Sequence, residues 1–417
     1  QPSDREGRRL SLAGNRVRST ETTGVAGAFG SLRVLVVLSA LMAFGSVATD
    51  MYLPALPTLG AALRADPGQI EMTVSGYLVG FSLGQLLWGP VGDRHGRRGP
   101  IAVGLALFVI GSVGCALSGT AVQMTGWRVV QAVGASAGPV LARAMVRDLY
   151  PRERAAQVLS TLMLVMGIGP LLAPLLGGQI LAAWSWQAIF WTLAGCGLLA
   201  LVGLSTLPET LPRARRDPRP FGEALLGYVA LARSPTLLGY ALPGAFFYGG
   251  LFAHIAGTPF AYIDYHRVPA GAYGLLFGIN VAGMMAANLL NARLVTRLGA
   301  DRILRLGTGG AALAGVVLAL DARFGWGGLA GLVAPLFLYV SMLGFIVANS
   351  VAGALAAFPH RAGAASALLG AMHYGAGMLS TAMVGWFADG TPWTMGWIVG
   401  AGGIGSLLAA MLLVRRA

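Results

Sequence analysis

Residues 89–98 read GPVGDRHGRR and form a short polar turn between two long apolar runs, at about 69–91 and 100–119. An apolar run of about 20 residues is long enough to cross a lipid bilayer as a helix. Glycine permits tight turning and close helix approach, and arginines collect in the cytoplasmic loops of membrane proteins. This stretch therefore predicts two membrane-spanning helices joined by a cytoplasmic turn.

The composition of the whole chain agrees with a membrane protein. Of 417 residues, 56% are hydrophobic and only 11% are charged, and the mean hydropathy is +0.69. Soluble globular proteins carry about 25% charged residues, so a soluble enzyme, a secreted disulfide scaffold and a disordered chain are excluded. Cys115 and Cys196 lie in apolar runs, which favours buried thiols over a disulfide or a metal site.

Apolar runs of spanning length recur twelve times along the chain. We therefore predict an all-α integral membrane protein with 12 transmembrane helices in two pseudo-symmetric six-helix bundles. The predicted spans are 32–57, 69–91, 100–119, 122–147, 155–183, 187–207, 236–263, 270–296, 302–320, 326–357, 362–387 and 393–414.

A polar central stretch divides the twelve spans into two sets of six. The predicted organisation is a disordered basic cytoplasmic tail at 1–31, a first bundle at 32–207, a central cytoplasmic loop at 208–235 and a second bundle at 236–417. A weak internal repeat supports the duplication, because GDRHGRRGPI (92–101) and VTRLGADRIL (295–304) both place Arg-x-Gly between two spans, 203 residues apart.

The arginines fix the predicted direction of the spans. The net charge is +13 and all the basic residues are arginines. They concentrate in the tail and in every second loop, whereas the other loops offer only Arg64, Arg267 and Arg323. This bias predicts that both termini are cytoplasmic, and it explains the basic charge without a nucleic-acid partner.

Two charged residues are predicted inside the membrane. Nearly all of the sixteen acidic residues lie in tails, loops or span ends, and Asp50 is the exception. It lies roughly 10 Å from the outer end of the first span, and Arg128 lies roughly 9 Å from the outer end of the fourth, at ~1.5 Å per residue. Because a buried charge is costly in a bilayer, we expect an Asp50–Arg128 pair, direct or through water. Proton coupling is the favoured role, and a static ion pair between two helices is the alternative.

Other polar and aromatic side chains in the spans are candidates for a central cavity. The offset of 203 maps Asp50 to position 253, next to His254, which is either a substrate or proton ligand or a hydrogen-bonded structural residue. The same alternatives hold for the other polar side chains, which could simply bond across helices. The candidate cavity residues are Tyr52, Tyr77, Gln131, Phe247, His254, Asn280, Asn349 and His373.

Two further motifs carry predictions of their own. The turn at 89–98 could latch helices in one conformation and release them in another, or it could be a simple anchor. The residues of this predicted gating motif are Gly89, Asp93, Arg94, Gly96, Arg97, Arg98 and, at the end of the fourth span, Asp148. In the fifth span, GIGPLLAPLLGG (167–178) predicts a bent and closely packed helix. Its motif residues are Gly167, Gly169, Pro170, Pro174, Gly177 and Gly178.

Taken together, these motifs resemble the major facilitator superfamily over nearly the whole chain after residue 30. GPVGDRHGRR resembles its signature loop, RVVQAVGASAG (128–138) its fourth-span motif, and GPLLAPLLGG its antiporter motif, with Ala173 where Gly is usual. TDMYLPALP (49–57) is similar to the first-span motif of the Bcr/CflA-type drug:proton antiporters.

The resemblance implies a rocker-switch transporter of the inner membrane, driven by the proton motive force without a cofactor or metal. It makes Asp50 the protonatable carboxylate and Arg128 its partner. Some relatives that take cationic drugs have a second acid on the inward face of the first span. Here that face shows Met42, Gly45, Ser46 and Val47, which favours neutral or zwitterionic substrates.

The predicted function is therefore proton-coupled antiport that exports small amphipathic compounds, such as bicyclomycin- or chloramphenicol-like drugs. The expected partners are protons, the substrate and the lipid bilayer, with the protein a monomer. A proton symporter and an exporter of a native metabolite or siderophore-like compound remain alternatives. A membrane-embedded enzyme is least favoured. The chain has no HExxH or Walker motif, and its two GxSxG matches, GFSLG (80–84) and GASAG (134–138), lie inside predicted spans.

Overall fold

The computed structural model describes residues 32–216, 221–358 and 361–414. The predicted tail at 1–31 lies outside these residues. The described chain consists of helices and their connections, and twelve helical spans follow one another as the apolar runs predict. The all-α membrane fold is therefore confirmed.

The spans of the first half are numbered in chain order. Span 1 comprises two helices separated by a 3₁₀ turn at Leu53–Ala55, and spans 2 to 6 are single helices. Their bounds are Leu32–Asp50 with Leu56–Leu63, Pro67–His95, Arg98–Ala116, Ala121–Leu149, Arg152–Ala183 and Trp186–Ser205.

The second half repeats the pattern with two interrupted spans. Span 7 ends in a π-helical turn, Phe260–Tyr265, and span 10 is interrupted at Met342. The bounds of spans 7 to 12 are Pro235–Pro259, Ala270–Leu298, Ala300–Phe324, Gly328–Ser341 with Leu343–Ala357, Ala362–Trp386 and Trp393–Leu413.

Nine of these helical segments in the described chain are long and apolar enough to cross a membrane by hydropathy alone. The other three, spans 2, 5 and 11, contain 29, 32 and 25 residues, and span 5 includes a shorter apolar helix at Gly167–Ala183. Span 2 packs against span 11, and span 5 against span 8.

The turns at 96–97 and 150–151 and the segment 206–234 lie on one side of the molecule, which we call the arginine-rich face. The other side is called the opposite face. Gly96 and Gly299 end spans 2 and 8 with positive φ angles of 96° and 80°. They occupy equivalent places in the two halves, 203 residues apart, where only glycine adopts such a backbone without strain.

The predicted central loop at 208–235 is partly helical. A 3₁₀ turn covers Arg213–Arg215, and a helix, which we call the central helix, covers Phe221–Ala232. Tyr228 and Leu231 on this helix are buried. The central helix contacts span 2 of the first half and spans 7 and 11 of the second, so it packs under both halves at the arginine-rich face.

Candidate functional site

Arg128 is the centre of a polar cluster inside the first half. Span 4 begins after Thr120, whose side chain accepts a hydrogen bond from the backbone N–H of Gln123, and Arg128 follows two turns later. Its side chain is fully buried. The guanidinium lies between two aromatic rings, 4.1 Å from the centroid of Tyr52 and 4.2 Å from that of Tyr77. Both distances allow cation–π attraction.

A chain of hydrogen bonds fixes the guanidinium in this position. Arg128 Nη1 donates to the Ala48 carbonyl at 3.0 Å and to Gln131 Oε1 at 2.5 Å. Gln131 Nε2 donates to Ser112 Oγ at 2.8 Å, and Ser112 donates to the Phe108 carbonyl at 2.7 Å. The network therefore joins spans 1, 3 and 4.

The remaining donors of Arg128 can still receive a ligand. Among the described residues, its Nε and Nη2 atoms are buried without a hydrogen-bond partner. A buried donor without a partner is costly, and a water molecule or a substrate oxygen would relieve this cost. Arg128 is therefore anchored on one side and available on the other.

Asp50 lies beside this cluster, where the helix of span 1 ends. It is 5% exposed, and it interacts electrostatically with Arg128 and with Tyr273 of span 8. Within the described chain, ion pairs closer than 4.0 Å involve Arg97 only. Asp50 and Arg128 therefore form no direct pair in this conformation, since the guanidinium is held by Ala48 and Gln131. Contact through water remains compatible with the structure.

His254 and Asn280 form a second polar pair, in the other half. Asn280 Nδ2 lies 3.5 Å from His254 Nε2, and the imidazole stacks on Phe277 with centroids 5.8 Å apart. Both residues are buried, and in the described structure His254 Nδ1 and Asn280 Oδ1 have no hydrogen-bond partner. With Asn280 Nδ2 donating to His254 Nε2, a neutral imidazole carries its proton on Nδ1, so the pair can donate from His254 Nδ1 and accept at Asn280 Oδ1.

Aromatic rings connect the two halves between these polar groups. Tyr77 stacks on Phe81 at 6.0 Å, and Phe81 contacts Tyr374 of span 11 at 4.5 Å. Tyr374 lies 5.9 Å from Tyr248 of span 7, and Tyr248 stacks on His373 at 4.7 Å. This aromatic chain runs from the Arg128 cluster to His373.

Sequence reasoning missed Phe81, Tyr248 and Tyr374. Tyr77 and Phe81 are four residues apart, and so are Tyr248 and Phe252, a spacing that places each pair on one helix face. That spacing was a usable signal, whereas the contact across the two halves was not visible in the sequence.

Arg143 is a further charged residue of span 4 that sequence reasoning missed. Its side chain is half-buried, and its Nε donates to the Pro139 carbonyl at 2.7 Å. It interacts electrostatically with Tyr248 and Tyr374 of the other half. No carboxylate of the described residues pairs with it. Arg143 therefore adds positive charge to the space between the halves.

Two candidate cavity residues lie elsewhere, inside the second half. Phe247 stacks on Tyr339 with centroids 4.9 Å apart, and the Tyr339 hydroxyl donates to the Phe247 carbonyl. Asn349 donates to Asn291 Oδ1 at 2.8 Å and to the Phe345 carbonyl at 2.7 Å. The structure does not bring these side chains to Asp50 and Arg128, and Asn349 bonds across spans 8 and 10.

Arg97 organises the arginine-rich face. Its Nε donates to Asp148 Oδ2 at 2.9 Å, and its Nη1 donates to Asp93 Oδ1 at 2.6 Å. These bonds join the ends of spans 2 and 4. Arg98 instead donates from its side chain to the Ser205 carbonyl at 2.9 Å, and Arg94 is exposed.

Glu209 completes this cluster and was missed by sequence reasoning, because it lies in a polar stretch without a motif. Its carboxylate accepts hydrogen bonds from the backbone N–H groups of Arg97 at 2.7 Å, Leu211 at 3.0 Å and Arg98 at 3.2 Å. Burial raises the pKa of Glu209, but these bonds outweigh burial and leave its pKa below the ordinary value. A Cβ at Gly96 would lie 2.5 Å from Glu209 Oε2, so this carboxylate would have to shift, and the positive φ of 96° independently favours glycine.

Burial acts on Arg97 in the same opposed way. It lowers the pKa of Arg97, while the hydrogen bonds and charges of Asp148 and Asp93 raise it, and the net shift is upward. Arg97 therefore stays charged, and the cluster can open only by breaking these ion pairs.

The fifth-span motif lies where span 5 approaches both span 1 and span 8. A Cβ at Gly177 would overlap the Met51 carbonyl oxygen, and one at Gly178 would lie 3.1 Å from the Ala270 carbonyl oxygen. Gly169 faces Val47, whereas a Cβ at Gly167 would meet no atom within 4 Å. Pro170 and Pro174 lie within the same continuous helix.

The two halves meet closely toward the opposite face, along what we call the closed seam. It is defined by Gly68 against Gly385, and by Leu175 against Gly274. A Cβ at Gly385 would lie 2.8 Å from the Gly68 carbonyl oxygen, and one at Gly274 would lie 2.8 Å from the Leu175 backbone nitrogen. Backbones thus approach directly at two places, between spans 2 and 11 and between spans 5 and 8, and the seam is shut toward the opposite face.

Comparison with known proteins places this geometry in context. The model of the Major Facilitator Superfamily matches residues 35–381. The chain is 35% identical to the Uncharacterized MFS-type transporter YdgK of Bacillus subtilis (strain 168), over 85% of this chain and 89% of that protein. It is 32% identical to the Bicyclomycin resistance protein homolog of Haemophilus influenzae, over 92% of this chain and 95% of that protein.

A solved structure shows the same fold. The partially occluded inward open conformation of the xylose transporter XylE from E. coli superposes with a TM-score of 0.70 at 16% identity. The match covers 92% of this chain and 96% of that chain. At this identity the likeness concerns the fold alone.

Proposed function

This chain belongs to the major facilitator superfamily, and from that premise we propose that it exports small amphipathic compounds in exchange for protons. The protein is a multi-pass membrane transporter and not an enzyme, and the resemblance of its motifs to the Bcr/CflA-type branch is confirmed. The proton-coupled antiport and its residues are our proposal.

One observation carries the proposal. Asp50 is buried beside the Arg128 cluster at the interface of the halves, yet it forms no direct ion pair there. A carboxylate that is desolvated and unpaired binds a proton readily, whereas a static ion pair would hold it charged. The geometry therefore favours proton coupling over a purely structural pair.

The Arg128 cluster supplies the counterpart to this proton. The guanidinium is held by two tyrosine rings and two hydrogen bonds, so its charge stays beside Asp50 whether or not the carboxylate is protonated. When Asp50 loses its proton, the negative charge develops next to this fixed positive charge. Arg128 thereby limits the cost of the deprotonated state.

The orientation of the transporter follows from its arginines. We assign the arginine-rich face to the cytoplasm and the opposite face to the outside, with both termini cytoplasmic in a bacterial inner membrane. The closed seam then lies on the outer side. In this conformation the space between the halves would open toward the cytoplasm, where the substrate enters.

The transport cycle alternates access to this space. Facing outward, Asp50 takes a proton, and closure of the outer seam carries it inward. A substrate that binds from the cytoplasm among the aromatic chain displaces the proton, and the loaded protein returns outward. The ion pairs of Arg97 join spans 2 and 4 within the first half, and as a latch they would release in one of these steps.

The charges around the cavity narrow the substrate class. Arg128 and Arg143 contribute positive charge, and span 1 offers no second acid on its inward face. A cationic drug would be repelled, whereas a neutral or zwitterionic compound with carbonyl or hydroxyl groups could accept hydrogen bonds from these arginines. The name of the Haemophilus influenzae relative, a bicyclomycin resistance protein homolog, supports a neutral, polar drug.

Asp50→Asn tests the proposal directly. The variant and the unchanged protein are produced at matched membrane levels in an efflux-deficient bacterium. Accumulation of bicyclomycin-like and chloramphenicol-like compounds and cationic dyes is then measured with and without an uncoupler. We expect low, uncoupler-sensitive accumulation of a neutral compound in cells with the unchanged protein, and loss of that export with Asp50→Asn. Glu223→Gln, a similar neutralisation on the exposed face of the central helix, serves as the control.

Three other outcomes would change the interpretation. Export against a gradient by Asp50→Asn would make Asp50 structural and His254 the next candidate for the proton. Preferential export of cationic dyes would contradict the proposed substrate class. Uncoupler-sensitive uptake rather than export would favour the alternative of a proton symporter.

A further inference from the structure

A second buried carboxylate, Glu71, lies at the closed seam. From the sequence it counts as a span-end residue, four positions after the start of span 2 at Pro67. In the structure its side chain is only 3% exposed. Its Oε2 atom is buried without a hydrogen-bond partner among the described residues. A buried carboxylate with an unsatisfied oxygen is costly to keep ionised.

Glu71 borders a cavity that is shared by both halves. The cavity has a volume of about 70 Å³, which is enough for several water molecules. Glu71 and Pro67 contribute from the first half, and Asp264 and Asp389 contribute from the second. Asp264 and Asp389 are exposed, so the cavity reaches the opposite face and gives water a route to Glu71.

The seam closes directly against Glu71. A Cβ at Gly385 of span 11 would lie 3.6 Å from the Cβ of Glu71, one turn from the backbone approach of Gly68 and Gly385. When the halves separate at this face, Glu71 loses the cover of span 11 and becomes hydrated. Closure therefore restricts the water around this carboxylate to what the cavity admits.

The groups that line the cavity offer no basic partner to an ionised Glu71. The titratable groups lining the cavity are Asp264 and Tyr265 from the π-helical turn of span 7, and Asp389 from the connection of spans 11 and 12. Arg267 interacts electrostatically with Asp264, and the ring of His266 lies edge-on to Tyr265 at 5.0 Å. No basic residue of the described chain lines the cavity itself.

We propose that Glu71 is a second proton-binding carboxylate, which must be protonated for the seam at the opposite face to close. This role rests on the proposed alternation between two conformations. It concerns a proton bound by Glu71 during closure of the seam, which is separate from the proton that Asp50 exchanges with the substrate. A proton that binds the closed conformation more tightly than the open one shifts the population toward closure. Lower pH at the opposite face then favours the closed seam.

The opening of the seam can be measured directly. Spin labels are attached at Ala62→Cys in span 1 and Trp386→Cys in span 11, both exposed at the opposite face, in a Cys196→Ser background. The full chain is placed in lipid nanodiscs, and distance distributions are recorded by pulsed electron resonance between pH 5 and 8. The fraction of the short, closed distance is followed against pH.

The expected result depends on the carboxylate at position 71. In the unchanged background, the ratio of closed to open protein should rise as pH falls, by at most about tenfold per pH unit for one proton. Glu71→Gln should keep the seam closed and remove this pH dependence, because the amide resembles the protonated acid. Glu71→Asp should keep a pH dependence, and the exposed control Glu223→Gln should follow the unchanged background.

Several results would overturn the proposal. A pH response that persists in Glu71→Gln, or one that disappears in Asp264→Asn, Asp389→Asn or His266→Gln instead, would assign the proton elsewhere. A response that disappears only in Asp50→Asn would leave Asp50 as the sole proton site. If Asp50→Asn still exports substrate, the proposed coupling through Asp50 fails, while the seam response of Glu71 stands or falls by its own measurement.

Discussion

Gly274→Ala is expected to open the seam between the halves. Gly274 of span 8 packs directly on the backbone of span 5. A Cβ at this position would lie 2.8 Å from the nitrogen and 2.9 Å from the Cα of Leu175, whereas ordinary van der Waals contact begins at 3.4 Å. The two spans must therefore move about 0.6 Å further apart to accept a methyl group. Backbone atoms cannot rotate away as a flexible side chain would.

The size of the effect follows from this overlap. Overpacking of a well-packed interface costs about 1–3 kcal/mol. The higher helix propensity of alanine, ~1 kcal/mol, applies to open and closed conformations alike and cancels from their equilibrium. The closed seam should therefore lose about 1–3 kcal/mol relative to the open one, which is a shift of about 5- to 150-fold in their populations.

Gly271→Ala provides the matched control. It lies in the same helix, one turn earlier, and its nearest neighbour would be Gln179 Nε2 at 3.9 Å. Both substitutions replace a helical glycine by alanine, but they differ in overlap. The spin-label pair at Ala62 and Trp386 reports the open fraction for both. Equal open fractions in Gly274→Ala and Gly271→Ala would refute the inference that this backbone approach stabilises the closed seam.

Three further predictions concern the charged clusters. Arg128→Lys keeps the charge but loses the planar contact with Tyr52 and Tyr77, and each cation–π contact is worth about 0.5–2 kcal/mol. Uncoupler-sensitive export should therefore fall at least about tenfold while the amount of protein in the membrane stays normal. Full export activity would contradict the role of the guanidinium. Arg143→Gln should weaken export of neutral or zwitterionic compounds and improve export of cationic dyes. If the accumulation assay shows an unchanged ratio of neutral-compound export to dye export, Arg143 does not select substrates by charge. Glu209 has a lowered pKa in the folded protein, so its stabilising contribution is present above about pH 4.3 and is lost as the pH falls through its folded pKa. Purified Glu209→Gln should therefore lose less than about 1 kcal/mol of unfolding free energy at neutral pH, and this loss should vanish in acid. A loss of unfolding free energy that is constant with pH would contradict the assignment.

The twelve spans were predictable because their signal is local. A run of apolar residues is sufficient to define a spanning helix, and proline punctuation such as Pro54 and Pro259 marks where spans 1 and 7 change geometry. The central helix at 221–232 was not predicted, because its twelve residues are too short for a span and lie within a polar stretch. Its helical form depends on the surfaces that cover Tyr228 and Leu231.

The sequence indicated part of the candidate site but not its geometry. A deep acid and a deep arginine at matched depths identified Asp50 and Arg128 from the sequence. The placement of the guanidinium between Tyr52 and Tyr77, and its bond to Gln131 instead of Asp50, depends on how spans 1, 2 and 4 pack. Such contacts join residues far apart in the chain, and one sequence does not specify them.

Residues near span ends were the main omission. Glu71 and Arg143 lie within about one or two turns of an end of their spans. A charged side chain there can often reach water, so hydropathy alone does not mark it as unusual. Whether such a charge reaches solvent depends on what the neighbouring half covers. Glu71 is covered by span 11, and Arg143 faces the rings of span 7 and span 11, so both are functional candidates only once the two halves are docked.

The central helix has a kinetic consequence for the whole transporter. Because it packs against spans of both halves while the opposite face is closed, movement of the halves into the other conformation must change its contacts with at least one of them. Burial of a side chain such as Leu231 is worth about 1.5–3 kcal/mol, which is comparable with the energies that separate transport conformations. The contacts of the central helix thus contribute to the energy barrier between the two conformations. Weaker contacts would shorten the time that the protein spends in each conformation.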